Sequence, residues 1–248
     1  MASSRAALLL CVLLPMFAFS SFTLATSDEK VKLGLYYETL CPGCSTFMTD
    51  HLVKIFENGL INIIDLHLVP YGNAKFGGKD NKNISCQHGS DECDLNTVHA
   101  CAIYAWPDVI KHFEFLHCIE DLVVKNNYRM PEWKSCFGKT GFDPTPVMDC
   151  YNGPKGLELI LKYANETNSL VPPHEFVPWV VVNELQLEDN YDEFMTYVCE
   201  AYKGSTRPEA CEHQLNRQVV SKVKENRICH VHQAASNTLP STKMPSSQ

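Results

Sequence analysis

Two cysteines separated by two residues, in the segment Cys41-Pro42-Gly43-Cys44, are the residues of this sequence with the clearest capacity for chemistry. Such a pair can be a redox couple, half of a zinc site, or two structural cysteines that are each bridged elsewhere. In a zinc site, Cys86, His88 and Cys93 are the further ligands that the sequence offers. The elements that position the pair favour one of these three kinds of site.

The pair lies where a predicted strand is followed by a predicted helix. Residues 31–40 alternate between apolar and polar side chains, and the alternation places Glu38 among the outward-facing residues. Residues 45–56 carry apolar side chains on one helical face, and residues 64–70 alternate again as a second strand. This order predicts a βαβ unit with parallel strands and a right-handed crossover. A Cys-x-x-Cys at its first junction favours a redox pair.

The remaining elements predict an α/β, thioredoxin-like fold with the order βαβ, insertion, ββα. Residues from about 72 to 170 form a large, cysteine-rich, mainly helical insertion. An apolar strand at 179–182, a hairpin partner at 185–187 and a last helix follow it. Pro178 directly precedes the apolar strand, where thioredoxin-like proteins carry a cis-proline that faces the active-site cysteines. We therefore predict that Pro178 lies opposite the motif and faces the substrate.

Residues 86–96 read CQHGSDECDLN and match the signature C-Q-H-G-x-x-E-C-x-x-N. The chain thus resembles the gamma-interferon-inducible lysosomal thiol reductase (GILT) family, and the similarity runs from about residue 31 to residue 214. Residues 176–183 look like that family's cis-proline strand, although Glu184 stands where we expect a glycine in the hairpin turn. The resemblance implies a reductase of disulfides in protein substrates at acidic pH, without a bound cofactor or metal.

The two cysteines of the motif have different expected roles. Cys41 lies at the helix N-terminus, where free backbone N–H groups favour an anion, so we expect an exposed, attacking thiolate. Cys44 lies one turn further along and is expected to be more buried and to resolve the mixed disulfide. A small-molecule thiol is the expected electron donor. Two alternatives remain open: a secreted oxidase or isomerase of the same fold, and a non-catalytic, cysteine-rich binding module.

The chain is predicted to enter the secretory pathway. Residues 1–25 combine Arg5, an apolar core and small residues at the expected cleavage position, which is the pattern of a signal peptide. The predicted reductase domain spans residues 26–212, and residues 213–248 form a polar tail that is disordered or removed. Asn83 and Asn165 each begin a glycosylation sequon. The expected destination is the lysosome, the vacuole or the extracellular space.

The twelve cysteines predict disulfides, because a chain that follows a signal peptide folds in an oxidising compartment. Proximity in the sequence suggests the pairs Cys86–Cys93 and Cys199–Cys211. After the signal peptide and the redox pair are set aside, nine cysteines remain, and Cys229 is the one expected to stay unpaired or to join a second molecule in a disulfide-linked dimer. A net charge of −8 argues against nucleic acid or an anionic membrane surface as partner, and no apolar stretch after the signal is long enough to span a bilayer.

Overall fold

The computed structural model describes residues 30–77, 83–216 and 229–230, and its elements follow the predicted order. The strands are β1 (Val31–Tyr37), β2 (Ile64–Pro70), β3 (Lys75–Gly77), β4 (Asn83–Ser85), β5 (Phe176–Val177), β6 (Trp179–Val182), β7 (Leu185–Gln186) and β8 (Cys229–His230). The helices are α1 (Pro42–Thr46), α2 (Lys54–Glu57), α3 (Ser90–Ala105), α4 (Val109–Lys125), α5 (Ser135–Thr140), α6 (Thr145–Asn152), α7 (Pro154–Asn168), α8 (Phe194–Ala201) and α9 (Glu209–Asn216). A π-helical stretch, Phe47–Leu52, follows α1 directly and leads towards α2.

A four-stranded sheet in the order β2-β1-β6-β7 confirms the predicted thioredoxin-like arrangement. Strands β1 and β2 are parallel, as the βαβ prediction requires, and β6 runs antiparallel to β1. Strand β1 therefore lies in the middle of the sheet, and its alternate side chains Val31, Leu33, Leu35 and Tyr37 are buried in the core. The helix that begins at the motif leaves from the end of this central strand.

The β6–β7 hairpin forms without the glycine that its turn was expected to need. Asn183 and Glu184 both have positive φ values, 44° and 71°, which is the pattern of a type I′ turn. Asparagine tolerates this region well, whereas the glutamate adopts it at some cost in conformational energy. The turn type is therefore the usual one for a two-residue hairpin.

The helical insertion is confirmed, but its last helix differs from the prediction. The apolar residues between 147 and 164 predict a single helix over roughly that range, whereas the structure has α6 and α7 separated at Gly153. Pro154 explains the break, because proline lacks an N–H for the preceding helix and suits the first position of a new one. Two disulfides, Cys101–Cys150 and Cys118–Cys136, tie α3 to α6 and α4 to α5.

The final helix of the domain is shorter than the sequence suggested. A 3-10 segment, Glu188–Glu193, precedes α8. The spacing of four between Phe194, Val198 and Tyr202 predicts that all three lie on the helix, but Tyr202 is already extended with φ −66° and ψ 126°. The disulfide Cys199–Cys211 joins α8 to α9. Farther along, β8 pairs antiparallel with β5.

Two predictions about the ends of the chain fall largely outside the described residues. The signal peptide at 1–25 lies wholly outside them, and only α9 and β8 represent the predicted tail. Among the helices that the structure describes, none combines the length and apolar composition needed to cross a membrane.

Candidate active site

The Cys-x-x-Cys motif forms the start of a helix. Cys41 is the N-cap residue, with an extended backbone at φ −77° and ψ 120°, and Pro42 occupies the first helical position. The carbonyl oxygen of Cys41 accepts a hydrogen bond from the N–H of Ser45 at 3.0 Å. Cys44 follows within the first turn and is 1% exposed. The motif is thus placed at a helix N-terminus at the carboxyl end of β1.

A cis-proline segment lies against the first cysteine. The Val177–Pro178 peptide bond is cis, and the carbonyl oxygen of Val177 lies 4.0 Å from Cys41 Sγ. Pro178 links β5 to β6, and β6 pairs with β1, so the sheet itself fixes this segment beside the motif. The structure therefore brings Pro178 to the motif that contains Cys41 and Cys44, although this motif lies more than a hundred residues earlier in the chain.

The state of the two motif cysteines differs from the prediction of an exposed Cys41. Cys41 is fully buried and disulfide-bonded, whereas Cys44 is a buried free thiol. The two sulfur atoms of the motif are therefore not joined to each other. The disulfides between described residues are Cys86–Cys93, Cys101–Cys150, Cys118–Cys136 and Cys199–Cys211. Because Cys86 and Cys93 are bonded together, the zinc alternative that used their thiolates does not fit this structure.

Glu38 is buried, although the strand pattern placed it among the outward-facing residues. Its side chain has no exposed surface, and its Oε2 accepts a hydrogen bond from the N–H of Asn73 at 2.7 Å. The alternation fails here because β1 ends at Tyr37, so the next side chain is positioned by the loop instead of the sheet. Burial, and then the nearby charge of Glu92, raise the pKa of Glu38 to about 8.

The signature residues His88 and Glu92 form a polar cluster with Glu38. Glu92 Oε2 accepts a hydrogen bond of 2.7 Å from the backbone N–H of His88. The same oxygen lies 2.7 Å from the ring nitrogen Nδ1 of His88. His88 Nδ1 also lies 3.6 Å from Glu38 Oε1. The ligand atoms of these three side chains lie within 4.8 Å of one another, which is close enough for the three residues to hold a metal ion. The sequence alone assigns no role to His88 and Glu92, and their contacts show that the two residues hold the loop that leads into α3.

The last residue of the signature contacts the segment that leads into the motif. Asn96 Oδ1 accepts a hydrogen bond from the backbone N–H of Thr39 at 2.9 Å. The hydroxyl of Thr39 donates to the backbone carbonyl of Glu92 at 3.2 Å. Both contacts are buried, so α3 holds the loop two residues before Cys41.

The electrostatic surroundings of Cys44 disfavour its thiolate. Burial raises the pKa of Cys44 well above that of an ordinary thiol, and the negative charge of Glu38 adds to this effect, whereas a hydrogen bond with the backbone of Glu38 opposes it. Glu120 contributes in the same direction as Glu38. Burial also raises the pKa of Glu120 to about 7, so its charge changes near neutral pH.

A second buried group of polar residues surrounds Glu120. His99 Nε2 lies 3.6 Å from Glu120 Oε1, and His99 Nδ1 lies 3.0 Å from the hydroxyl of Tyr37. Burial lowers the pKa of His99 to about 3, so this histidine is neutral at acidic and neutral pH. Sequence reasoning missed Glu38, His99 and Glu120, because each lies in a segment whose local pattern carries no sign of a buried titratable group.

The two sequon asparagines lie on the surface. Asn83 is exposed at the start of β4, and Asn165 is exposed on α7. Both positions are accessible to a glycan in the folded protein. Glycosylation at them stays a prediction.

Comparison with known proteins identifies relatives over most of the chain. Residues 32–140 match the family model described as gamma interferon inducible lysosomal thiol reductase (GILT). A gamma-interferon-responsive lysosomal thiol protein of Arabidopsis thaliana is 43% identical over 81% of this chain and 83% of its own length. The gamma-interferon-inducible lysosomal thiol reductase of Mus musculus is 35% identical over 74% of this chain and 73% of its own. The solved structure of oxidised BdbD from Bacillus subtilis shares the fold, with a TM-score of 0.50 at 14% identity, covering 72% of this chain and 90% of that one.

Proposed function

Because the chain belongs to the gamma-interferon-inducible lysosomal thiol reductase family and is a thiol-disulfide oxidoreductase, we propose that it reduces disulfide bonds in protein substrates at acidic pH. The observation that carries this proposal is the geometry at Cys41. This residue caps the N-terminus of a helix, has Cys44 one turn away, and lies 4.0 Å from the carbonyl oxygen beside the cis-proline Pro178. An oxidase or isomerase of the same fold would use the same geometry in the opposite direction, so the proposed direction rests on the family.

The proposed reaction consists of two thiol-disulfide exchanges. The thiolate of Cys41 attacks one sulfur of the substrate disulfide, that bond breaks, and one substrate thiolate leaves and takes a proton. Cys44 then loses its proton and attacks the sulfur of Cys41 in the mixed disulfide, which releases the second substrate thiol. The enzyme is left with a Cys41–Cys44 disulfide. Two equivalents of a small-molecule thiol reduce it and leave as a disulfide, so the electrons balance.

Acidic operation requires a strongly lowered pKa at Cys41. A thiol with the ordinary pKa of about 8.5 would be only about 0.03% thiolate at pH ~5. No lysine or arginine flanks the motif in the sequence, so the helix N-terminus and its backbone N–H groups have to stabilise the thiolate. A pKa between roughly 4 and 6 would give a useful thiolate fraction at such a pH.

Protonation of two buried carboxyl groups at acidic pH partly offsets the loss of Cys44 thiolate that low pH causes. Below a pH of about 7, Glu120 is protonated, and the negative charge that opposes the Cys44 thiolate is removed. Glu38 is neutral in the same range, since its pKa is about 8. Both buried carboxyl groups therefore oppose resolution less in an acidic compartment than at neutral or alkaline pH. The names of the relatives support an endolysosomal or vacuolar location.

Two single variants test the proposed roles. Cys44→Ser should accumulate a covalent complex with a protein whose disulfides are intact, such as insulin or a denatured disulfide-bonded protein, because no thiol is present to resolve the mixed disulfide. Cys41→Ser should form no such complex and should lose turnover at both acidic and neutral pH. Turnover by a fully reduced Cys41→Ser variant at the wild-type rate would overturn the mechanism. Loss of all reductase activity in the reduced wild type would instead favour a binding module.

A further inference from the structure

Cys41 is disulfide-bonded and therefore needs a partner cysteine, which the described residues of the predicted reductase domain do not supply. Within residues 30–77 and 83–216, the other cysteines are either paired with each other or, in the case of Cys44, free. The chain has two further cysteines, Cys11 and Cys229. Cys11 lies in the predicted signal peptide, so Cys229 is the remaining cysteine in the secreted chain.

The backbone of Cys229 is placed next to the motif. Strand β8 pairs antiparallel with β5, and in this register Cys229 is directly opposite Val177. The carbonyl oxygen of Val177 is the group that lies 4.0 Å from Cys41 Sγ. Directly opposed residues in an antiparallel pair have Cα atoms about 4.5 to 5.5 Å apart. The register therefore places Cys229 beside the strand residue that contacts Cys41.

We propose that Cys229 forms an intramolecular disulfide with Cys41 and that β8 thereby holds the enzyme in a latent state. The inference rests on the proposed function only in taking Cys41 as the attacking thiol. Two features of the active site would then be blocked at once. The sulfur of Cys41 is consumed in a disulfide, and the edge of β5 beside Pro178 is covered by the chain's own strand. A peptide that added to the same edge as a strand would compete with β8.

The bond can form and open by exchange reactions that balance. In formation, Cys41 attacks a small-molecule disulfide and one thiol leaves, and Cys229 then attacks the sulfur of Cys41 and releases the second thiol. Opening can use the free thiol of Cys44, which attacks Cys41, breaks its bond to Cys229 and transfers its proton to the departing sulfur. This exchange gives the Cys41–Cys44 disulfide without net oxidation. A small-molecule thiol then reduces that disulfide to the active dithiol.

The buried environment explains why the latent state persists. Cys44 lies one helical turn from Cys41 and is a buried free thiol, so it is the nearest group that could displace the partner. Burial and the charges of Glu38 and Glu120 disfavour its thiolate. A thiol that is rarely ionised attacks slowly, because the thiolate is the nucleophile.

Peptide mapping of the secreted full chain tests the bond without depending on activity. The protein is denatured in acid, alkylated and digested with trypsin without reduction. Cleavage after Lys32, Lys54, Arg227 and Lys243 gives peptide 33–54, which contains both motif cysteines, and peptide 228–243, which contains Cys229. We expect these two peptides to be joined by a disulfide, with one alkylated cysteine in peptide 33–54. An internal disulfide in peptide 33–54 would overturn the proposal, as would a covalent dimer that disappears in Cys229→Ser.

Kinetics of matched variants test the consequence. Without prior reduction, the wild type should show a lag before it reduces insulin in the presence of a small-molecule thiol. Cys229→Ser should show no lag and should reach the same steady rate, while the neighbouring change His230→Ser should keep the lag. An equal lag in Cys229→Ser would overturn the latent state. If the pre-reduced Cys229→Ser variant lacks reductase activity although the mapped bond is present in the wild type, the proposed function fails and the disulfide stands.

Discussion

The backbone N–H of Thr39 donates a buried hydrogen bond of 2.9 Å to Oδ1 of Asn96. Thr39 lies two residues before the first motif cysteine, and Asn96 is the last residue of the signature in the insertion. The contact spans 57 residues of sequence and joins the loop after β1 to α3. It gives the signature a physical role: its asparagine, together with the Glu92 carbonyl that accepts from the Thr39 hydroxyl, fixes the segment that presents Cys41.

Replacing Asn96 by alanine should therefore destabilise the domain. The change leaves the buried N–H of Thr39 without its acceptor, which costs about 1–3 kcal/mol. The free energy of unfolding, measured in urea with the disulfides intact, should fall by this amount. Asn62→Ala is the control, because Asn62 is exposed and should change stability by less than about 0.5 kcal/mol. Equal stability of the two variants would show that the contact does not support the fold.

Gly72 should not tolerate a side chain. Its φ is +59°, in the region that L-residues disfavour by about 1–2 kcal/mol. In addition, a Cβ there would collide with the side chain of Glu38, which is held by the neighbouring Asn73. Gly72→Ala should therefore lower the free energy of unfolding by more than the about 1–2 kcal/mol that the backbone conformation alone costs.

Gly138 provides the matched control for this prediction. It lies exposed within α5, and a Cβ would meet no atom within 4 Å. Gly138→Ala should raise stability by about 0.5–1 kcal/mol, because alanine favours the helix. A comparison of thermal unfolding midpoints separates the two cases. A stabilising effect of Gly72→Ala would contradict the packing of Glu38 against this turn.

Glu120→Gln should change how stability depends on pH. Burial raises the pKa of Glu120 from 4.5 to about 7, so the folded state binds a proton that the unfolded state has lost in this interval. The stability associated with the neutral carboxyl is fully present below pH 4.5 and is lost as the pH rises through about 7. Glutamine stays neutral and removes this dependence.

The stability difference between the wild type and Glu120→Gln measures this effect, because all other titrating groups are present in both proteins. His99, which faces Glu120, is neutral in both. Between about pH 5 and about pH 8, the wild type should lose up to about 3 kcal/mol relative to the variant. Unfolding curves at these two pH values supply the measurement. A difference that does not change with pH would mean that Glu120 titrates normally in the folded protein.

Glu38→Gln should lower the pKa of Cys44. The charge of Glu38 is, after burial, the largest influence that raises this pKa, and glutamine removes the charge. The ultraviolet absorbance of the thiolate, followed against pH in a background that carries both Cys41→Ser and Cys229→Ser, reports the ionisation of the buried thiol. Glu57→Gln is the control, since Glu57 is exposed on α2 and should leave the titration unchanged. The same titration for both variants would refute the electrostatic link between Glu38 and Cys44.

Local pattern was sufficient to place the motif and the main elements around it. Apolar residues recur with a period of two along β1 and β2 and with helical spacing between them. These patterns reflect which side chains each element buries, and they can be recognised within short stretches of sequence. The break at Gly153-Pro154 shows where this reasoning was incomplete. The apolar stripe at 157–164 predicts α7, but an apolar stripe does not mark where a helix begins, and Pro154 does.

The amino-acid sequence by itself determined the redox motif, the order βαβ, helical insertion, ββα, and the family, because these depend on residue type and local spacing. Only the tertiary structure decided the state of the site. It buried Glu38 beside Glu92, placed Asn96 on the loop before Cys41, and made Cys41 a buried, oxidised residue next to β5. Each of these features depends on contacts between segments that are distant in sequence, and such contacts exist only after the chain has folded.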